Sequence, residues 1–237
     1  MSAEITVLPE LKAYIDPLTP DEHDALERSI LAEGCRDALV LWGNILVDGH
    51  NRYGICQKHG LPFQTVQNTQ FESMEDVHLW MIDQHLGRRS VSDFQRGVLA
   101  LRKREIIAQR RATAATAVQQ ATQHDAADDP TQASQAALAS VPKVPEQALD
   151  TREALARAAR LSPAQVKHIE TIQEKAAPEL VAAIKNGELS LSTAAVLAKL
   201  PVAEQQTAAQ DGAQGLKEAA KRIRQAQKVA RQEKASQ

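Results

Sequence analysis

The chain has 237 residues, 43% of them hydrophobic, with 28 Lys and Arg against 30 Asp and Glu for a formal net charge of −2. That length suits one large domain or two small ones, and the apolar fraction excludes wholesale disorder. Aromatic residues make up only 3%, which argues against a β-sandwich or barrel and favours helices. In chain order, ITVLPE (5–10) reads as a short extended segment ended by Pro9. Thr19-Pro20-Asp21-Glu22 is a capping box with Pro at the first helical position. The helix it opens carries Leu26, Ile30 and Leu31 on one face and stops at Gly34. ALVLW (38–42) and ILVD (45–48), split by Gly43-Asn44, predict a hairpin. Residues 51–59 predict a short helix closed by Gly60, and FQTV (63–66) another strand. Ser73 and Asp76 form a second capping box, for a helix running to about Leu86 with Val77, Trp80, Met81 and His85 or Leu86 at helical spacing.

Ser92 caps a third helix, with Phe94, Val98, Leu101 and Ile106 on its apolar face. Arg96, Arg102, Lys103, Arg104, Arg110 and Arg111 lie on the other. Residues 112–150 read as a fraying helix followed by a flexible linker. From Thr151 the pattern is helical: 151–159, 163–172, 178–187 and 192–200, then a basic helix at 216–232 after Gly215. No strand is expected beyond about residue 70. The reading is therefore an α/β part followed by an all-α part.

Charge is unevenly distributed. Residues 1–86 carry −9, 87–111 carry +6, 112–150 carry −4 and 151–237 carry +5. Such asymmetry points to a polyanionic partner. No apolar run reaches the roughly 18 residues that span a bilayer, and the N-terminus lacks the features of a signal peptide. Cys35 and Cys56 lack metal-ligand spacing. The expectation is a cytoplasmic protein with reduced thiols and no membrane partner.

Three constellations carry chemistry. In VDGHNRYGIC (47–56) a strand ends at Asp48, Gly49 permits a sharp turn, and a helix begins near His50-Asn51. Such a turn aims backbone N–H groups at one spot that the helix dipole makes attractive to an anion. His50 and Arg52 add donors, and Asp48 is a candidate for a metal ion or a ribose hydroxyl. In DQHLGRRSVSDFQR (83–96), Arg88 and Arg89 precede the Ser92 cap and so sit beside a second helix N-terminus. LARAARLSPAQVKHIETI (155–172) fits a DNA-binding helix-turn-helix. Ala156 permits close helix approach, Arg160-Leu161-Ser162 makes the turn with Leu161 buried, Ser162 caps and Pro163 starts the second helix. Val166 and Ile169 point inward. Ala164, Gln165, Lys167 and His168 face outward from the part of the helix that reaches base edges. Gln165 suits adenine, and Lys167 suits guanine or phosphate.

Taken in this order, the three features resemble the ParB family of partition proteins and their phage- and mobile-element-borne relatives, over roughly residues 3–200. The resemblance implies an α/β N-terminal ParB/sulfiredoxin-like domain that binds a nucleotide, followed by an all-α helix-turn-helix domain that binds a DNA site. Gly49, Arg52 and Tyr53 match the family's phosphate-binding segment, Gly-Glu-Arg-Arg followed by an aromatic, while His50 and Asn51 stand in place of its Glu and the Arg that follows it. MIDQHLGRR (81–89) is similar to a second nucleotide-binding segment, which adds Gln84 to Arg88 and Arg89. Residues 189–209 are similar to the helix pair that follows the helix-turn-helix. The C-terminal basic helix corresponds to a dimerisation or non-specific DNA element. A sulfiredoxin activity would need a Cys at Gly49 or His50, and neither Cys35 nor Cys56 sits there.

The implied boundaries are 1–90 for the nucleotide-binding domain, 91–118 for a basic connecting helix and 119–150 for a linker. The helix-turn-helix domain takes 151–210 and the basic C-terminal helix 211–237. The expected nucleotide site is Asp48, Gly49, His50, Asn51, Arg52, Tyr53, Gln84, Arg88 and Arg89, holding CTP or another NTP with Mg²⁺. The expected DNA site is Arg160, Ser162, Ala164, Gln165, Lys167 and His168. The partners implied are double-stranded DNA, a second copy in a homodimer and a partition ATPase, with a nucleoid- or plasmid-associated location. Partition or transcriptional control of a plasmid, phage or mobile element would be the role. A rival reading is a metal-dependent nuclease or NTPase using Asp48 and His50. A third is a protein-binding adaptor acting through the acidic N-terminal part.

Overall fold

Local signals set most of the N-terminal elements in the computed structural model, which describes residues 4–14, 16–88, 91–124 and 149–235. Pro9 begins a single helical turn, α1 (Pro9–Lys12). The Thr19 hydroxyl accepts from Glu22 N while the Glu22 carboxylate accepts from Thr19 N, opening α2 (Pro20–Glu33). Gly34, at φ +77°, ends it. Leu26 and Ile30 make the buried face, but Leu31 is 50% exposed, because one residue further along a helix turns about 100° away from Ile30.

The hairpin forms as expected, with β1 (Leu39–Trp42) and β2 (Ile45–Asp48) antiparallel around Gly43-Asn44. α3 (His50–His59) follows, closed by left-handed Gly60. β3 (Thr65–Gln67) pairs parallel to β1, giving a mixed sheet of order β2-β1-β3. It starts two residues later than the sequence pattern places it, because Phe63 turns inward to meet Tyr53 edge-on at 5.5 Å. Thr6 adds a short parallel bridge on the free edge of β2, donating to the Asn44 carbonyl and accepting from Leu46 N.

Alternation splits the sheet into two faces. Leu39, Leu41 and Leu46 pack with Ile5, Tyr53 and Phe63 on the α3 side. Val47 packs with Leu11, Phe71, Val77 and Met81 on the other, which brings in α4 (Met74–Gly87). α2 lies outside α3, joined through Ile30, Ile55 and Cys56.

Residues 1–85 form one unit and 86–237 a second. The second has helices joined by turns and no strand among its described residues. It contains α5 (Asp93–His124), α6 (Arg152–Ala159), α7 (Pro163–Lys175), α8 (Pro178–Lys185), α9 (Leu191–Leu197), α10 (Val202–Gln210) and α11 (Gly212–Ala235). α5 packs on α6 and α7, so the helix expected to connect domains is part of the helical core. Phe94, Leu99, Ala100, Leu101 and Ile107 are its buried apolar residues among those described, with Val98 only half-buried and Ile107 taking the place the sequence pattern gives Ile106. α9 packs on α7 and α11, and α10 on α8 and α11. α11 starts at Gly212, four residues before its expected start. The expected linker falls largely outside the described residues. Among the described residues no helix is long and apolar enough to cross a membrane.

Candidate nucleic-acid interface and anion turn

In the second unit, the caps and the turn between α6 and α7 form at the residues the sequence pattern gives them. Thr151 caps α6 through Ala154 N. Arg160 then adopts a left-handed conformation, φ 55°, the only non-glycine residue at positive φ among those described. Arg160 N donates to the Arg157 carbonyl and Leu161 N to the Ala156 carbonyl, the paired bonds of a Schellman ending. Ser162 caps α7 through Gln165 N, and Pro163 takes the first helical position. Ala156, Val166 and Ile169 are buried, whereas Leu161 is half-buried rather than sealed. Gly97 on α5 is what lets α7 approach. A Cβ there would lie 2.2 Å from the Ile169 Cδ1 atom.

Arg160, Ser162, Ala164 and Lys167 are exposed on this unit, and His168 is half-buried. Burial lowers the His168 pKa, and the positive charges of Lys199 and Lys167 lower it further. Lys199 therefore belongs to the same patch, and nothing in the local sequence pattern points to it. Gln165 has a different set of partners from the one expected. Its Oε1 accepts from Ser162 N at 2.9 Å and Ser162 Oγ at 3.0 Å, and its Nε2 donates to Asp93 at 2.9 Å. The amide that the pattern assigns to adenine thus closes the cap and ties α7 to α5. Ala164, Gln165 and His168 line part of a cavity of about 470 Å³, whose lining also includes Asp93, Ser190 and Ser192.

The basic face of α5 is also committed internally. Arg96 pairs with Asp93 and donates to the Val91 carbonyl. Arg104 meets Glu170 at 3.3 Å, and Arg111 meets Asp150 at 2.9 Å. Arg110 is only 6% exposed. This corrects the expectation that the helix presents a cationic stripe. Glu170 also receives Arg152 at 2.9 Å, so two guanidiniums hold one carboxylate of α7. Lys217, Lys221, Arg222 and Lys228 are exposed on α11.

In the first unit, Gly49 caps α3 at φ +98° with no side-chain cap. A Cβ at Gly49 would lie 2.5 Å from Leu39 Cδ2, so the turn requires glycine for closeness as well as conformation. Arg52 folds back, its guanidinium donating to Asp48 at 3.1 Å and to the Ala38 carbonyl at 3.4 Å. His50 Nε2 and Arg52 Nε are buried and have no hydrogen-bond partner. Burial lowers the His50 pKa, Asp48 opposes this, and Lys12 on α1 reinforces it. Lys12 is thus a further cation near the turn that the strand-like reading of 5–10 conceals.

Asn51 is exposed. Tyr53 packs with the sheet rather than at the turn, and lines a cavity of about 840 Å³ with Leu41, Gln57 and Phe63. Gln84 is exposed on α4, Arg88 is exposed in the second unit, and Arg89 lies outside the described residues. Asp48 and His50 do not form a metal cage. Asp48 is held by Arg52, and the grouping with metal-ligand spacing among the described residues is His23, Asp24 and Glu27 on α2.

No family model matches the chain, and no curated protein does. Three solved structures similar to it are all of ParB proteins. One form of a pNOB8-like ParB N-domain is 16% identical, with a TM-score of 0.47 over 88% of this chain and 78% of that one. A second is 15% identical, with a TM-score of 0.46 over 88% and 73%. The C-terminally truncated chromosome-partitioning protein ParB from Caulobacter crescentus, complexed to the centromeric parS site, is 13% identical, with a TM-score of 0.41 over 92% and 95%. At these values the similarity assigns neither a residue nor an activity to this chain.

Proposed function

We propose that the second unit is a helix-turn-helix module that binds duplex DNA at a specific site. α7 would lie in the major groove, in the service of partition or transcriptional control. The observation that carries this is the α6–α7 corner. Its cap, left-handed turn and buried Val166 and Ile169 leave Arg160, Ala164 and Lys167 exposed at one helix N-terminus. A helix presented by its N-terminal turn suits base edges, and Lys167 and Lys199 suit guanine or phosphate. The exposed Lys217, Lys221, Arg222 and Lys228 of α11 supply further phosphate contacts. A single half-site gives limited specificity, so a dimer is the expected binding species. The test is selection from a pool of randomised duplexes. A recurrent motif is expected, its affinity falling steeply with salt as counterions are released. Lys167→Ala should lower affinity with the fold intact. No enrichment over the starting pool would overturn the reading.

We further propose that the Gly49 turn binds the phosphates of a nucleotide such as CTP. A buried donor without a partner, Arg52 Nε, supports this beside uncapped N–H groups of α3, and the unpartnered His50 Nε2 becomes a second donor once the ring is protonated. Binding would draw Arg52 away from Asp48. Titration calorimetry of CTP against wild type and Arg52→Ala tests it. Binding lost in the variant is expected, and no heat with wild type for CTP or ATP would end the proposal.

A further inference from the structure

The chain has two cysteines, Cys35 and Cys56, twenty-one positions apart in sequence. Both fall in one apolar cluster of the first unit, where Ile30, Ile55 and Cys56 are buried and Leu26, Cys35, Leu61 and Phe63 pack against them. The two thiols therefore share one apolar environment, Cys35 at its surface and Cys56 inside it. Cys35 is half-buried and its Sγ donates to the Asp37 carbonyl at 3.5 Å, while Cys56 is buried within α3. One thiol is thus open to a small solute, and the chain's other thiol belongs to the same cluster.

We propose that Cys35 and Cys56 are a peroxide-reactive dithiol that closes to an intramolecular disulfide. This goes beyond the DNA and nucleotide readings and does not depend on either. The Cys35 sulfur attacks one oxygen of hydrogen peroxide and the O–O bond breaks. Hydroxide leaves and takes up the thiol proton as water, so Cys35 becomes a sulfenic acid. The Cys56 sulfur then attacks the Cys35 sulfur. The S–S bond forms and the S–O bond breaks, and the departing hydroxide takes the Cys56 proton as a second water. Two thiols lose two electrons and one peroxide is reduced to two waters. The order follows from access. Burial raises the Cys56 pKa and keeps it a thiol, so it is placed as the resolving partner rather than the first nucleophile. The bond would fasten the turn after α2 to the middle of α3, enclosing β1, β2 and the Gly49 turn in a closed loop.

The experiment uses the reduced full-length protein, hydrogen peroxide and a maleimide that counts free thiols after denaturation. Trypsin separates the two sites, leaving Cys35 in the peptide 29–36 and Cys56 in 53–58. Both thiols should be lost together, with the two peptides recovered as one linked species that dithiothreitol splits. Cys35→Ser should leave the Cys56 thiol unreacted under the same peroxide, and Cys56→Ser should halt Cys35 at the sulfenic stage, trapped by dimedone. Over-oxidation of Cys35 in wild type with Cys56 still free would overturn the proposal. So would disulfides found only between separate molecules. The wild-type map decides this even where a variant fails to fold.

Discussion

Two residues in the helical unit show how narrowly α7 is seated. Gly97 provides the space into which Ile169 fits, and Ile169 is fully buried. Gly97→Ala gains about 1 kcal/mol of helix propensity and forces an overpacked contact that costs about 1–3 kcal/mol. A net loss is expected in chemical denaturation followed by circular dichroism. Arg160 is the reverse case. A left-handed non-glycine residue costs about 1–2 kcal/mol, so Arg160→Gly should stabilise the unit by about 1 kcal/mol. If the residue touches DNA, the same change weakens binding. A variant that melts higher and binds less tightly would separate the two roles.

Among the elements, α10 has a part that its sequence hides. Gln205 is 1% exposed, and it joins three segments through one amide. Its Oε1 accepts from Ala177 N at 2.8 Å, and its Nε2 donates to the Lys175 and Leu200 carbonyls at 2.9 Å each. Gln205→Leu leaves a buried N–H and two carbonyls without this partner, and should cost about 2–4 kcal/mol in a urea titration. The caps at Thr19, Ser73, Ser92 and Ser162, the Gly43-Asn44 hairpin and the α6–α7 corner were all legible in the sequence, because each depends on residues close to one another along the chain. The roles of Gln205, Lys199, Lys12 and the Arg104–Glu170–Arg152 cluster were not, since each depends on contacts made only by tertiary packing. Gln165 lies between the two. Its place on α7 follows from the pattern, but its amide is engaged by Asp93, seventy-two positions away.

For the molecule as a whole, both tryptophans, Trp42 and Trp80, fall in the first unit, so their fluorescence follows that unit during unfolding. His50 there has a pKa below its ordinary 6.5, chiefly from burial, and the folded form favours the neutral ring. The stability this gives is complete above pH 6.5 and declines as pH falls through the folded value. The fluorescence midpoint in urea should therefore drop on acidification below about 6.5, and His50→Gln should flatten the drop. Glu27 acts in a separate window. Hydrogen bonds from His59 and Lys58 hold its pKa near about 2, so its contribution is lost only below the ordinary carboxylate range.

The stitch that Thr6 makes along β2 has a practical consequence for anyone trimming the chain. Removing the segment up to residue 7 would take Ile5 from its packing on the sheet and leave the Leu46 N–H and the Asn44 carbonyl on the edge of β2 without these partners. Shortened protein should fail first by clumping, with turbidity appearing before any loss of helix signal.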